Sequence, residues 1–167
     1  MTLYLVRHGE AAPVGGAMTL DADRPLTQRG ERDMAALGQV IAHLDRRVAH
    51  VLTSPLARAR QSGAILASAL GNGVVTRTTE NLSPGFRPKG LLAELAKIAP
   101  EDSVIAVGHQ PDLGEFLSSL VTDASHAAVA FPPGGAAGII LQAPPQERKA
   151  VLQWLLTPDA VHRITTL

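Results

Sequence analysis

Cysteine is absent from all 167 residues. Its absence excludes disulfides, thiolate metal sites and a cysteine nucleophile, and it fits a reducing compartment. Neither sign of charge is in excess, since 15 Lys and Arg face 15 Asp and Glu for a formal net charge of +0. A chain so balanced has no global field with which to hold nucleic acid or an anionic membrane. Two familiar motifs are missing as well: no spacing reads His-Glu-x-x-His, and Gly-x-x-x-x-Gly-Lys-Ser/Thr does not occur. No long apolar run is present either, because the richest stretch, Ala127 to Ala143, is broken by Pro132-Pro133-Gly134-Gly135. The opening Met1-Thr-Leu-Tyr-Leu-Val6 lacks a basic leader region and runs straight into Arg7. The expectation is a cytoplasmic protein with no membrane partner and no nucleic-acid partner.

What is present is a globular balance, 46% hydrophobic and 18% charged. The length favours a single domain over residues 1–167 with a core of its own. Short apolar or β-branched runs predict strands at Leu3–Val6, Val48–Thr53, Val74–Thr79, Val104–Val107, Ala137–Gln142 and Val151–Leu156. Helical signals fall between them. Thr27 is an N-cap for an amphipathic stretch over about 28–46, and Pro55 suits the first turn of a helix ending at Gly71. A short helix is expected over 90–97, and Pro111 opens another running through Leu120. Strand and helix in alternation predict a three-layer α/β/α sandwich with a mostly parallel central sheet.

In such sheets ligands bind beyond the carboxyl ends of the strands. Two predicted strands end alike: Val6 hands over to Arg7-His8-Gly9, and Val107 to Gly108-His109. As neighbours, these strands would bring both imidazoles and Arg7 to one crevice. A third strand ends at Ser54-Pro55, and the helix after it carries Arg58 in its first turn, where the helix dipole also favours an anion. Two arginines, two histidines and a helix N-terminus make a phosphate pocket. Guanidinium groups grip phosphate and keep their charge, and histidine offers a nitrogen nucleophile near neutral pH. This chemistry requires no metal and no cofactor.

These segments resemble the histidine phosphatase superfamily in its phosphoglycerate-mutase-like branch. The likeness lies in Leu5-Val-Arg-His-Gly-Glu10, Asp23-Arg-Pro-Leu-Thr-Gln-Arg-Gly30, Thr53-Ser-Pro-Leu-Ala-Arg-Ala-Arg-Gln-Ser62 and Val107-Gly-His-Gln-Pro111, all in order. The resemblance implies a phosphoglycerate-mutase-like fold, His8 as the phospho-accepting nucleophile, and Arg7, Arg58 and His109 as its phosphate-binding partners. Arg58, not Arg60, fits the family spacing. The two lie about 200° apart around a helix, so only one can face the pocket. The second segment would chiefly fix the entry to the first long helix. The short chain and the Arg-Pro-Leu-Thr form are most similar to the small SixA-type phosphohistidine phosphatases. That likeness implies an open site for a phosphorylated protein, such as a phosphorelay domain, rather than a small phosphoester.

A general acid is the weak point of the motif set. The candidate is Glu80, in Thr79-Glu-Asn-Leu-Ser-Pro84. Phosphohistidine needs less help than an alkyl phosphate, because imidazole is a better leaving group than an alkoxide. Of the remaining carboxylates near the motifs, Glu10 either shapes the pocket rim or faces solvent, and Asp112 sits in the first turn of its helix. Ser54 and Gln110 are secondary phosphate donors. His43, His50, His126 and His162 have no metal-spaced partner and read as structural or surface residues, and Gly134-Gly135 reads as a turn. Two alternatives remain: a general or small-molecule phosphomonoesterase with the same nucleophile, and a non-catalytic module that binds a phospho-ligand.

Overall fold

The computed structural model describes residues 1–15, 20–71, 73–122 and 129–166. A six-stranded sheet runs through it in the order β3-β2-β4-β1-β5-β6. The strands are β1 (Thr2–Arg7), β2 (Val48–Thr53), β3 (Val75–Thr78), β4 (Ser103–Gly108), β5 (Ala136–Leu141) and β6 (Ala150–Leu156). The first four pair in parallel, and β5 and β6 add antiparallel to the β1 side. Both the α/β class and the mostly parallel sheet expected from the sequence are found.

Alternation along the central strands makes the three layers. Leu3 and Leu5 of β1 and Val104 and Ala106 of β4 face one side; Tyr4, Val6, Ile105 and Val107 face the other. The first face packs against α3 (Pro88–Leu95) and α4 (Asp112–Val121), where Leu91, Leu95, Leu113, Phe116, Leu117 and Leu120 are buried. The second packs against α1 (Gln28–Leu44), α2 (Ala57–Leu70) and α5 (Pro158–Thr165), through Met34, Leu37, Ile41, Leu66 and Val161. A strand covered on both faces reads as a continuous apolar run, and Ser103–Gly108 is buried at every residue.

Several boundaries differ from the sequence expectation, each for a local reason. Thr27 caps α1 by accepting from the Gly30 N–H at 3.0 Å, as expected. However, α1 stops at Leu44, because Asp45 turns extended to put its carboxylate into the buried bonds of Tyr4 and Ser103. Pro55 does not lie within α2: three residues, Ser54 to Leu56, separate that helix from β2, and it begins at Ala57. Gly71 ends it at φ +92°, a conformation suited to glycine. Pro88 at the first position starts α3 two residues earlier than expected. Sequence reasoning missed α5, although Thr157, which accepts from Ala160 N–H, followed by Pro158 is a helix start of the ordinary kind. No helix among the described residues is long and apolar enough to cross a membrane.

Candidate active site

Strands β1, β4 and β2 end side by side, and their ends are tied together. Arg7 pairs with Gly108 in register, His8 N–H donates to Gly108 O at 3.2 Å, and Ser54 N–H donates to Val107 O at 3.0 Å. The four side chains expected at the site are partly or wholly buried there, with His8 8%, Arg58 6% and His109 5% exposed. The two imidazole centroids lie 5.0 Å apart. Arg58, in the first turn of α2, donates from Nε to His8 Nε2 at 3.2 Å. Arg60 is exposed, as the helical geometry required.

The tautomer of His8 follows from its partners. Its Nδ1 lies 2.7 Å from Gly9 O, and a carbonyl only accepts, so Nδ1 carries the proton. That leaves Nε2 as a lone pair, facing the Arg58 donor. Burial pushes the His8 pKa down to about 4; the charges of Arg58, Arg7 and Arg24 add to this, and the Gly9 bond opposes it. His8 is therefore neutral at pH 7, with Nε2 unprotonated. Burial likewise pushes His109 down to about 3, with His8, Arg58 and Arg7 adding to the shift and Asp21 opposing it.

Close approach holds the loop after β1 in place. A Cβ on Gly30 would stand 2.2 Å from Glu10 O, and one on Gly9 would stand 2.8 Å from Gly30 O, so the start of α1 rests directly on the loop backbone. Gly9 N–H is also held by Ser62 Oγ at 3.0 Å, and Ser62 in turn donates to Arg58 O at 2.7 Å. One serine thus couples the nucleophile loop to the arginine helix. On the other side, the turn Pro132–Gly135 closes against the same loop: Gly134 N–H donates to His8 O, and Arg7 N–H to Gly135 O. Arg7 Nη1 donates to Phe131 O at 2.7 Å.

Two polar atoms of this cluster, Arg7 Nε and His109 Nδ1, are buried with no hydrogen-bond partner among the described residues. Buried donors are normally satisfied, so a cluster that leaves such atoms open beside an unprotonated imidazole nitrogen is suited to receive acceptors from a ligand. A tetrahedral oxyanion carries acceptors of that kind. Arg7 is drawn below the ordinary arginine value by burial and by the nearby Arg58 charge, which also favours a bound anion.

Other sequence-expected residues fall differently. Ser54, expected beside the pocket, has its Oγ 2.8 Å from His109 Nε2. Gln110 donates to Val129 O, and its Oε1 is buried without a partner. Glu10 accepts from Thr27 Oγ1 at 2.9 Å, which ties it to the α1 cap. Glu80 lies exposed in the short 3-10 turn after β3 and accepts from Ser83 Oγ at 2.8 Å. Asp112 opens α4 and accepts from Gly85 N–H at 3.2 Å. His43 is exposed, His50 pairs with Asp102 at 3.5 Å and His162 with Asp33 at 2.7 Å, while His126 lies outside the described residues. Sequence reasoning missed Asp21, which pairs with Arg58 at 3.0 Å and with Arg24 at 2.8 Å. The i,i+3 spacing of Asp21 and Arg24 was the available signal.

Known proteins resemble this chain in sequence and in fold. The family model of the histidine phosphatase superfamily (branch 1) matches residues 3–83. An uncharacterized protein of Picosynechococcus sp. is 39% identical over 122 residues, covering 72% of this chain and 73% of that one. Among solved structures, the protein histidine phosphatase SixA complexed with tungstate superposes with a TM-score of 0.82 at 23% identity, over 95% of this chain and 98% of that chain. A candidate phosphohistidine phosphatase SixA from Nakamurella multipartitia gives 0.75 at 29% identity, over 94% and 95%.

Proposed function

Because this chain belongs to the histidine phosphatase superfamily, we propose that it hydrolyses protein phosphohistidine through a covalent phosphoryl intermediate on His8. The observation that carries the reading is the fixed tautomer of His8, with Nδ1–H bound to Gly9 O and the Nε2 lone pair left for attack. In the first step Nε2 attacks phosphorus in line, the bond to the leaving group breaks, and its electron pair departs with that group. The Arg58 Nε–H then passes from His8 Nε2 to a phosphoryl oxygen, while Arg7 and His109 supply the donors they otherwise leave unpaired. In the second step water attacks phosphorus, the N–P bond breaks, the pair returns to Nε2 and inorganic phosphate leaves. No step calls on a metal.

The leaving group decides how much acid is needed. A phosphohistidine ring departs as neutral imidazole once its far nitrogen is protonated, so the breaking bond needs no carboxylic acid beside it. The exposed position of Glu80 is consistent with this chemistry. A protein substrate also suits the short connection between α2 and β4, which holds only β3, a 3-10 turn and α3 and so raises little wall around the site.

Rapid-quench mass spectrometry at alkaline pH tests the reading. Wild type and His8→Ala are each offered a phosphohistidine protein donor. A phosphate-mass adduct on the peptide bearing His8, absent from the variant, is expected. Phosphate release that persists in His8→Ala would remove His8 as nucleophile. Turnover of small phosphoesters far above that of the phosphoprotein would move the substrate to the small-molecule class, and a Glu80→Gln variant that lost both equally would assign Glu80 the acid role.

A further inference from the structure

Asp21 stands where the phosphatase reading alone would leave room for a second anion. Arg58 has five N–H bonds, and its Nε–H is committed to His8. Each terminal nitrogen gives one N–H to Asp21: Nη1 donates to its backbone O at 2.7 Å and Nη2 to its carboxylate at 3.0 Å. The other carboxylate oxygen accepts from Arg24 Nη1 at 2.8 Å. Arg24 is itself fixed by donation to Ala12 O and Ala11 O, so its guanidinium does not depend on Asp21 for its position. Arg58 is almost wholly buried, whereas the Asp21 side chain is 56% exposed. The carboxylate therefore sits at the mouth, bridging an inner and an outer guanidinium, and covers the outward donors of both.

We propose that Asp21 determines substrate specificity by acting as a built-in occupant of a second anion position across Arg24 and Arg58. Substrates whose phosphoryl group has a carboxylate or a second phosphate next to it meet a fixed negative charge there. Those with a neutral leaving group, such as an imidazole ring, do not. Repulsion placed against the wrong ligand is a common route to specificity. The proposal rests on the phosphatase reading and narrows its substrate class.

The test compares two phosphomonoesters, phosphoglycolate with its carboxylate and phenyl phosphate without one, on wild type, Asp21→Asn and Asp21→Ala. Loss of the carboxylate is expected to raise the ratio of kcat/KM for phosphoglycolate over phenyl phosphate by about tenfold in both variants. The gain should shrink in high salt. Calorimetric binding of the same two esters should show the same change in ratio. An unchanged ratio in both variants would overturn the proposal. So would a parallel loss for both esters, because Asp21 would then serve only to position Arg58. The readouts separate from the phosphatase reading: that reading fails by absence of the His8 adduct, while the binding ratio decides Asp21 without any turnover.

Discussion

Strand β4 carries a buried polar cluster near each end, and the two are built on opposite terms. At its start, Ser103 Oγ donates to Asp45 at 2.6 Å, Tyr4 OH donates to the same oxygen at 3.0 Å, and the Arg47 N–H and Nε–H hold the other at 2.9 and 3.1 Å. Both carboxylate oxygens are paired, and the group ties α1, β1 and β4 together. At its end, His109 follows Gly108 into a cluster where His109 Nδ1 and Arg7 Nε have no partner among the described residues and two neutral imidazoles lie among guanidinium groups. A closed network holds structure together; an open one holds donors ready for a ligand. The site is thus recognised less by its residue types, which both ends share in part, than by what it leaves unpaired.

The sharpest break between the two ends is catalytic. His8→Ala is expected to lower turnover on the order of 10⁴-fold or more, through loss of the proposed nucleophile. Its thermal stability should fall only modestly, by about 1 kcal/mol, since the change removes one hydrogen bond from Arg58 to a neutral ring. Parallel turnover and unfolding curves check both halves. A large fall in stability would mean that this end, too, carries the fold.

Asp45→Ala should do the reverse. It leaves the hydroxyls of Tyr4 and Ser103 buried without their acceptor, at a cost of about 3 kcal/mol. Activity per folded molecule should not change. Urea unfolding alongside active-site titration separates the two quantities, and a fall in kcat for the folded fraction would contradict the division.

Acid should distinguish the ends by window. His8 and His109 have folded pKa values near 4 and 3, below the ordinary 6.5, so the unfolded chain binds their protons first. Their contribution to stability is fully present above about pH 6.5 and is lost as pH falls toward about 4 and then 3. Asp45 titrates later. Burial alone would raise its pKa, but the bonds from Ser103, Arg47 and Tyr4 outweigh that and hold it below the usual carboxylate range. Its contribution is present above about pH 4 and lost only below. Removing His8 should therefore flatten the stability profile between pH 4 and 6.5, whereas Asp45→Asn should leave that interval alone. In kcat/KM, the acid limb belonging to His8 is expected near pH 4.

What the sequence made legible follows the same division. Strand ends with Arg-His-Gly and Gly-His could be read because a buried parallel strand is an unbroken apolar run, and the residue after it must point into the crevice. Arg58 could be chosen over Arg60 because the family resemblance singled out its spacing and the fixed turn of a helix allows only one of the two to face the pocket. Asp21, Ser62 and Asp45 could not be read in the same way. Each makes at least one bond to a partner 37 or more residues away, and those distances exist only after β1, β2 and β4 have been placed. Ser54 was legible only as a neighbour of the pocket: that position is local, while its bond to His109 spans 55 residues. The end of α1 at Asp45 and the start of α3 at Pro88 show the smaller form of this limit, in which a tertiary bond or a single proline shifts a boundary by two residues.

The finest test uses one hydroxyl at each end. Ser54 Oγ meets His109 Nε2 at 2.8 Å and accepts from Leu56 N–H, while Ser103 Oγ donates to the Asp45 carboxylate. For His109 Nδ1 to offer a proton to a phosphoryl oxygen while the ring is neutral, Nε2 must be the acceptor, and the Ser54 O–H is the donor in place to fix that tautomer. Ser54→Ala should therefore lower kcat about tenfold, the size of one oriented hydrogen bond, and cost about 1 kcal/mol of stability. Ser103→Ala should cost slightly more stability, about 1–2 kcal/mol, because its bond is to a charged group, and should leave kcat where it was. Two losses of similar size in stability, only one of them reaching kcat, would separate a hydroxyl that holds the fold from one that holds a reagent. Equal effects on kcat would mean that the ends of β4 are mechanically coupled through the strand, and that the division between them is one of degree.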